Sequence, residues 1–233
     1  ERTKRIMAYT TVNKSSSFMN NKLYTGNGGT QALTGLGFEP SFTWIKQRDN
    51  GVYSNALFDA VRGVGKMLVS NTTAAEGNQT NGVTAFDADG FTIGDFSAGN
   101  YNARKYVSWN WKANGQGSSN TDGSINTTYT SANTTSGFSI SKYTGTGANA
   151  TVGHGLGAVP KMIITKRLDS TTDWMTYHSS LANTQKVALN STGAVSTSGS
   201  VWNSTTPTSS VFAVGTSADT NNNNSDIIAY CFA

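Results

Sequence analysis

The two histidines are the side chains of this sequence that are best suited to acid–base or metal chemistry. His154 lies in the segment VGHGLG and His178 in the segment MTYH. Neither histidine has an acidic residue or a cysteine at the spacing that zinc sites use. The sequence also contains no GxSxG turn that would present a nucleophilic serine. We therefore interpret both histidines as turn or surface residues.

Short acidic and glycine-rich segments resemble ligand-binding loops without completing them. DADG (Asp87–Gly90) begins like a calcium loop, but the EF-hand form needs a glutamate at its twelfth position, which is Ala98 here. We interpret DADG and Asp122–Ser124 as turns, and a looser Ca²⁺ site stays open as an alternative. The segments TGNGG (25–29) and TGTGAN (144–149) lack the lysine and the helix of a phosphate loop.

Paired carboxylates of the glycosidase type would be a further source of catalysis. The chain has 13 acidic residues, and no pair among them stands out. The sequence therefore predicts no catalytic, cofactor-binding or metal-ligating residue, and it leaves the binding residues unassigned. We predict that the protein is not an enzyme.

Two aromatic triplets are the next residues that could contact a ligand. They are Trp109–Asn110–Trp111 and Tyr230–Cys231–Phe232. On a strand, the outer residues of each triplet point to one face and the central residue to the other. We expect the outer pairs to fill the two domain cores rather than to stack on sugars. Cys231 is the single cysteine, so an intrachain disulfide is excluded, and we expect it to be buried.

The composition favours strands and turns. Of the 233 residues, 36% are hydrophobic and only 13% are charged, and Ser, Thr, Asn and Gly supply most of the rest. The 10 Phe, 9 Tyr and 5 Trp can build a real core, which argues against disorder.

The termini and the charge distribution exclude two classes of partner. The only tight basic cluster is Arg2, Lys4 and Arg5, which is too small to indicate nucleic-acid binding at a net charge of +4. No apolar run of 18 residues occurs, so we expect no membrane insertion. The N-terminus lacks the apolar core of a secretion signal. Because the residues after Met7 are typical of a natural start, we expect residues 1–6 to be an extension.

The chain repeats itself. KLYTGNG and TGLGFEP in the first half match SKYTGTG and HGLGAVP in the second half. Tyr24 and Tyr143 are 119 positions apart, and Pro40 and Pro160 are 120 positions apart. Ordered matches of this kind indicate an internal duplication. The predicted division is an N-terminal arm, a first repeat, a Gly/Ser/Asn/Thr-rich connector and a second repeat, at residues 1–17, 18–113, 114–136 and 137–233.

Alternation between turn residues predicts strands throughout both repeats. The sequence therefore predicts an all-β protein with two tandem β-sandwich domains of jelly-roll type, related by duplication. The predicted strands are 22–25, 31–34, 42–47, 55–60, 66–70, 83–86, 90–94 and 104–112 in the first repeat, and 138–144, 149–152, 161–167, 173–178, 185–190, 199–202, 211–215 and 226–232 in the second.

Taken together, these segments resemble a family of tailed-phage virion proteins. The resemblance rests on KLYTGNG, TGLGFEPSFTWIKQRD, FDADGFTIG, YVSWNWKA, GFSISKYTGTGANATVGHGLGAVPKMIITKR and the terminal AYCFA. It covers nearly the whole chain from Met7. The family is abundant in marine and cyanobacterial phages, and some relatives are concanavalin- or LamG-like jelly rolls. Asn110 departs from the pattern, which favours a small or sulfur-containing residue at that position.

The resemblance implies a non-enzymatic component of the virion, on the particle surface or in the tail. The leading hypothesis is a tail-fibre or receptor-binding module that contacts a host cell-surface glycan or protein. A capsid decoration protein is the alternative, and a polysaccharide-degrading enzyme is a third. The implied partners are further copies of the chain in a homotrimer and other virion proteins.

Overall fold

The protein is built almost entirely from antiparallel strands. The computed structural model describes residues 12–49 and 51–233, and within them it contains eighteen strands and four short helical turns. The all-β prediction is thus confirmed. The strands, in chain order, are β1 (Met19–Thr25), β2 (Gln31–Thr34), β3 (Phe42–Gln47), β4 (Ala56–Asp59), β5 (Lys66–Val69), β6 (Gly77–Asn78), β7 (Val83–Asp87), β8 (Gly90–Ile93), β9 (Lys105–Trp111), β10 (Tyr129–Asn133), β11 (Phe138–Thr144), β12 (Ala150–Gly153), β13 (Met162–Arg167), β14 (Met175–His178), β15 (Gln185–Ala188), β16 (Ser196–Thr197), β17 (Val211–Val214) and β18 (Asp226–Phe232).

Two large sheets form the frame of the molecule. The first large sheet has the order β1-β9-β3-β4-β5-β6, and the second large sheet has the order β10-β11-β18-β13-β14-β15-β16. Apart from β10, the two orders correspond strand by strand. A three-stranded sheet (β2-β8-β7) and a two-stranded sheet (β12-β17) complete the described strands.

The sheets stack in four layers. One face of the first large sheet packs against the three-stranded sheet around Phe58 and Phe91. One face of the second large sheet packs against the two-stranded sheet around Tyr143 and Phe212. The remaining faces of the two large sheets meet each other in an apolar cluster that includes Tyr230. The large sheets are therefore covered on both faces over much of their area.

This arrangement corrects the expectation that the outer aromatics of the two triplets fill the domain cores. The alternation itself is confirmed, because Asn110 and Cys231 are fully buried and Cys231 belongs to the core beside the two-stranded sheet. Trp111, Tyr230 and Phe232, however, lie on the opposite face and pack in the cluster between the large sheets. Alternation separates the two faces of a strand but does not say which neighbour covers each face.

Corresponding turns in the two halves use the same hydrogen bonds. The short helices α1 (Ser97–Asn100) and α3 (Ala218–Asn221) each end in a buried asparagine. Asn100 Nδ2 donates to the carbonyl of Gly94 at 2.8 Å, and Asn221 Nδ2 donates to the carbonyl of Gly215 at 2.8 Å. Each side chain therefore fixes the loop that precedes the last strand of its half.

The helix α2 (Gly199–Trp202) replaces one predicted strand. The sequence predicted a strand at 199–202, and the structure has a helical turn there. Val201 and Trp202 are both 1% exposed and belong to one core cluster. Neighbouring residues of a strand point to opposite faces, so a strand could not direct both side chains into that cluster.

The segment between the halves is more than a connector. Besides β10, it contributes Ile125, which is buried in the core of the second half. Residues 12–17 of the predicted arm include a 3₁₀ turn at Ser15–Ser17. The basic cluster of Arg2, Lys4 and Arg5 and the expected extension at residues 1–6 lie outside the described residues.

Candidate functional site

Three tryptophans line an open cleft on the first large sheet. We call this site, formed by Met19, Trp44, Asn55, Trp109 and Trp111, the tryptophan cleft, and its volume is about 330 Å³. Four of the five residues lie on β1, β3 and β9, which are neighbours in the sheet. Trp44 pairs with Trp109 and Met19 pairs with Trp111, so their side chains share one face.

The cleft exists because the second large sheet covers only part of this face. Trp111 contacts Phe138 and Phe232 of the second large sheet, with ring centroids 6.2 and 6.3 Å apart. Trp44 also packs against the cluster between the large sheets, and Trp44 and Trp109 stay half-buried. The uncovered part is a concave site lined by aromatic side chains, which is typical of ligand-binding sites.

The corresponding face of the second large sheet has no such opening at the matching positions. By strand order and register, Trp109 corresponds to Tyr230 and Trp44 corresponds to Ile164. Tyr230 is 2% exposed and Ile164 is 7% exposed. The aromatic cleft is therefore a feature of the first half.

The polar side-chain groups of the cleft residues are the Asn55 amide and the indole N–H groups. The backbone N–H of Asn55 donates to Asn71 Oδ1 at 2.9 Å, which fixes Asn55 at the rim. The indole N–H of Trp44 is buried and has no hydrogen-bond partner among the described residues. Unpartnered buried donors are rare in folded proteins. Because this N–H is inaccessible, it is not part of the surface that a ligand in the cleft would meet.

The side chains of the cleft can bind but carry no acid–base chemistry. None of its five lining residues ionises. Indole rings offer large flat apolar faces with one polar N–H, and a pyranose ring offers a flat face of C–H groups edged by hydroxyls. The arrangement thus fits stacking on carbohydrate rings, with hydrogen bonds at the rim. The sequence predicts Trp109 and Trp111 as core residues, and only the packing of the two large sheets shows that they line a cleft.

A buried charge cluster links the two halves. Arg62 Nε donates to Asp59 Oδ2 at 2.5 Å and Arg62 Nη1 donates to Glu76 Oε2 at 3.2 Å. Tyr230 donates to the same Asp59 oxygen at 2.7 Å. Burial alone would lower the pKa of Arg62, but Asp59, Tyr230 and Glu76 together raise it above its ordinary value. Burial has the opposite effect on Tyr230: it raises the pKa of the hydroxyl, which therefore stays protonated and remains a donor. This cluster is satisfied internally and acts as a clamp.

Lys166 makes a second polar link between the halves. Its Nζ donates to the carbonyls of Thr73, Ser170 and Thr172 at 3.1, 3.1 and 2.9 Å. The residue is fully buried, and burial lowers the pKa of the amine to about 8. Perturbed amines often mark active sites, but this one is occupied by backbone carbonyls, one of which comes from the first half. It is therefore a structural contact.

The two histidines, His154 and His178, do not form a common site in the structure. His154 lies in a loop, as predicted, but it is fully buried, so the surface interpretation is wrong for it. Its Nδ1 accepts from the N–H of Leu156 at 3.2 Å, which leaves Nε2 to donate to the carbonyl of Thr208 at 3.2 Å. Burial lowers the pKa of His154. His178 is exposed, and its Nδ1 accepts from the N–H of Ser180 at 3.1 Å.

The acidic segments occupy turns. Asp87 pairs with Gly90 in the hairpin of β7 and β8, which confirms the turn predicted for DADG. Asp122 lies in a bend, where Asn120 Nδ2 donates to its Oδ2 at 3.0 Å. Over residues 12–49 and 51–233, no group of three or more His, Cys, Asp or Glu side chains could hold a metal ion. In the same ranges, no helix has the length and apolar character needed to cross a bilayer.

Comparison with known proteins gives a family but no function. The family model described as "Domain of unknown function (DUF7483)" matches residues 14–233. No curated protein and no solved structure matches the chain. The matched range includes both large sheets and the tryptophan cleft. The chain therefore belongs to the DUF7483 family of domains of unknown function.

Proposed function

We propose that this protein is a non-enzymatic glycan-binding module on the surface of a tailed-phage virion, in a tail fibre or receptor-binding component. The observation that carries the binding function is the tryptophan cleft. Trp44, Trp109 and Trp111 share one sheet face, and the second large sheet leaves this face partly open. The virion setting rests on the resemblance of the repeated segments to phage virion proteins.

The balance of groups in the cleft supports binding rather than hydrolysis. Glycosidases place two carboxyl groups across the scissile bond, and the cleft has no carboxylate in its lining. Ring stacking is worth about 0.5–1.5 kcal/mol per aromatic pair beyond the area that is buried. Three indoles therefore give a single site of modest affinity, and repeated sites on one particle raise the overall affinity without new contacts.

We also propose that the fold arose by duplication of a jelly-roll-like β-sandwich of the concanavalin or LamG type. The support is the shared strand order of the two large sheets and the matched turns at Asn100 and Asn221. Superposition of an experimental structure of residues 18–113 on residues 137–233 tests this proposal. Halves whose large sheets fail to superimpose would end it.

The binding proposal is tested with purified protein on host cells and on a glycan array. We expect the wild-type protein to bind, and Trp109→Ala to lose about two- to twelvefold in affinity because one stacking face is removed. Tyr101→Ala is the matched control, because Tyr101 is 49% exposed and lies outside the cleft. Equal binding by wild type and Trp109→Ala would refute the role of the cleft.

The position of the protein in the virion is tested by a separate measurement. Labelling or mapping of intact virions should find a few tens of copies or fewer, at the tail. Hundreds of copies spread over the capsid would refute the tail assignment and favour a decoration protein. That outcome leaves the binding test above unchanged, so the two parts of the proposal can fail independently.

A further inference from the structure

A second cavity lies between the two large sheets. We call it the interlayer cavity, and its volume is about 120 Å³. Phe42 and Leu57 contribute to its lining from the first large sheet, and Met162 and Ile164 contribute from the second large sheet. All ten of its lining residues are hydrophobic or aromatic. The cavity therefore offers an apolar surface without a charged side chain.

The polar atoms of the buried lining residues do not make the interlayer cavity a water site. The Tyr230 hydroxyl is used by the charge cluster described above. The indole N–H of Trp174 donates to the carbonyls of Val69 and Thr72 at 3.0 and 3.2 Å. The buried N–H of Trp44 has no partner among the described residues, but one donor does not hold a water, which needs about two to four polar partners. Apolar cavities of this kind stay dry and take up apolar guests.

The interlayer cavity adjoins the tryptophan cleft. Trp44 and Trp111 line both spaces, and their side chains lie on one face of the first large sheet. Both side chains are half-buried, so the second large sheet does not seal the boundary that they form. A ligand that rests on the indoles of the cleft therefore lies next to an apolar cavity.

The size of the interlayer cavity limits the group that it can hold. An apolar cavity of about 150 Å³ in another protein binds benzene, which has six carbon atoms. By that ratio, 120 Å³ accommodates a hydrocarbon group of roughly five carbon atoms. A sugar ring does not suit the cavity, because hydroxyls that are buried without partners are costly. The group that fits is an alkyl chain or the tail of a short acyl group.

We infer that the ligand of this protein is a sugar that carries a hydrocarbon substituent, and that this substituent enters the interlayer cavity from the tryptophan cleft. The inference rests on the proposed glycan-binding function and adds the chemical class of the ligand, an alkylated or acylated sugar. The sugar ring stacks on the indoles of the cleft, and the substituent is removed from water inside the cavity.

Xenon tests the interlayer cavity without any sugar, because xenon enters apolar cavities. When xenon is dissolved in a sample of ¹⁵N-labelled protein, the indole N–H signal of Trp174 should shift, since Trp174 is fully buried and lines the cavity. The signal of Trp202, in the core beside the two-stranded sheet, should stay in place. A Trp174 signal that xenon leaves unmoved would overturn the inference.

Two substitutions fill the interlayer cavity from opposite sheets. Ile164→Phe fills it from the second large sheet and Leu57→Phe from the first, and neither residue lines the tryptophan cleft. Each variant should abolish the xenon shift at Trp174 and keep or raise the melting temperature, because the larger side chain occupies existing space. Val195→Phe is the matched control, because Val195 is 44% exposed and lines neither space. A xenon shift that survives in the filled variants would overturn the inference.

A pair of simple glycosides tests the link between the cavity and the cleft. Methyl and butyl β-D-glucopyranoside share one sugar ring and differ by three CH₂ groups, each of which contributes roughly fourfold in affinity when buried. Butyl glucoside should therefore bind the wild-type protein and Val195→Phe about tenfold more tightly or better, as measured from the indole signals of the cleft. Ile164→Phe should bind the two glucosides within about twofold of each other. Equal affinities in the wild type, or a butyl preference that survives Ile164→Phe, would overturn the inference.

Methyl glucoside separates this inference from the proposed function. If methyl glucoside shifts the indole signals of Trp44 and Trp109 and the butyl chain adds nothing, glycan binding stands and the inference alone fails. If neither glucoside nor a host-surface oligosaccharide shifts those signals, the glycan-binding function fails, and the assignment of a sugar-borne substituent fails with it.

Discussion

Removing the hydroxyl of Tyr230 should weaken the link between the two halves by a predictable amount. This hydroxyl donates to Asp59 Oδ2 at 2.7 Å across the interface of the two large sheets. Tyr230→Phe keeps the ring and leaves no large cavity, and Asp59 keeps its contact with Arg62. A hydrogen bond to a charged group is worth about 1.5–3 kcal/mol. For a chain of this size, the expected loss corresponds to a fall of about 3–12 °C in the melting temperature.

Tyr143→Phe is the matched control for this substitution. Its hydroxyl is also buried but donates to a neutral acceptor, the carbonyl of Thr220, at 2.6 Å. A neutral hydrogen bond is worth about 0.5–1.5 kcal/mol, so this variant should lose less stability. Urea unfolding of the three proteins measures both values. A Tyr230→Phe variant that loses no more than Tyr143→Phe would refute the view that the charge cluster clamps the halves together.

Three further predictions concern buried titratable groups. Because burial lowers the pKa of His154, the unfolded chain takes up a proton first as the pH falls. The free energy of unfolding should therefore decrease below about pH 6.5, and His154→Asn should flatten that dependence in urea titrations; an unchanged slope would contradict this. Burial raises the pKa of the Cys231 thiol to about 12, so a thiol reagent should label only unfolded protein, and rapid native labelling would count against it. Lys166→Met removes the amine that the carbonyls of Thr73, Ser170 and Thr172 share and should cost about 1–3 kcal/mol in calorimetry, whereas a neutral effect would show that water replaces the amine.

Much of the local structure follows from the sequence. The strands predicted at 42–47 and 226–232 match β3 and β18 at both ends. β18 is a largely apolar run, β3 is rich in aromatic and β-branched residues, and both are bounded by turn residues, which favours an extended conformation. The hairpin at Asp87 and Gly90 could also be predicted, because the residues that form its turn are neighbours in the sequence.

The cleft and the edge contacts depend on packing between distant segments. β10 is a polar strand with no apolar alternation, so the segment resembled a connector. Trp109 and Tyr230 occupy corresponding strand positions, yet one lines an open cleft and the other is buried. Their difference comes from how far one large sheet extends over the other, and no local pattern carries that information.

The indole N–H signals of the five tryptophans give the most direct test of glycan binding at the cleft. Trp44, Trp109 and Trp111 line the cleft, whereas Trp202 is enclosed in the core beside the two-stranded sheet. When a host-surface oligosaccharide is added to ¹⁵N-labelled protein, the signals of the three cleft tryptophans should shift and the signal of Trp202 should stay in place. A titration that saturates binding while leaving the three cleft signals unmoved would contradict the proposed function.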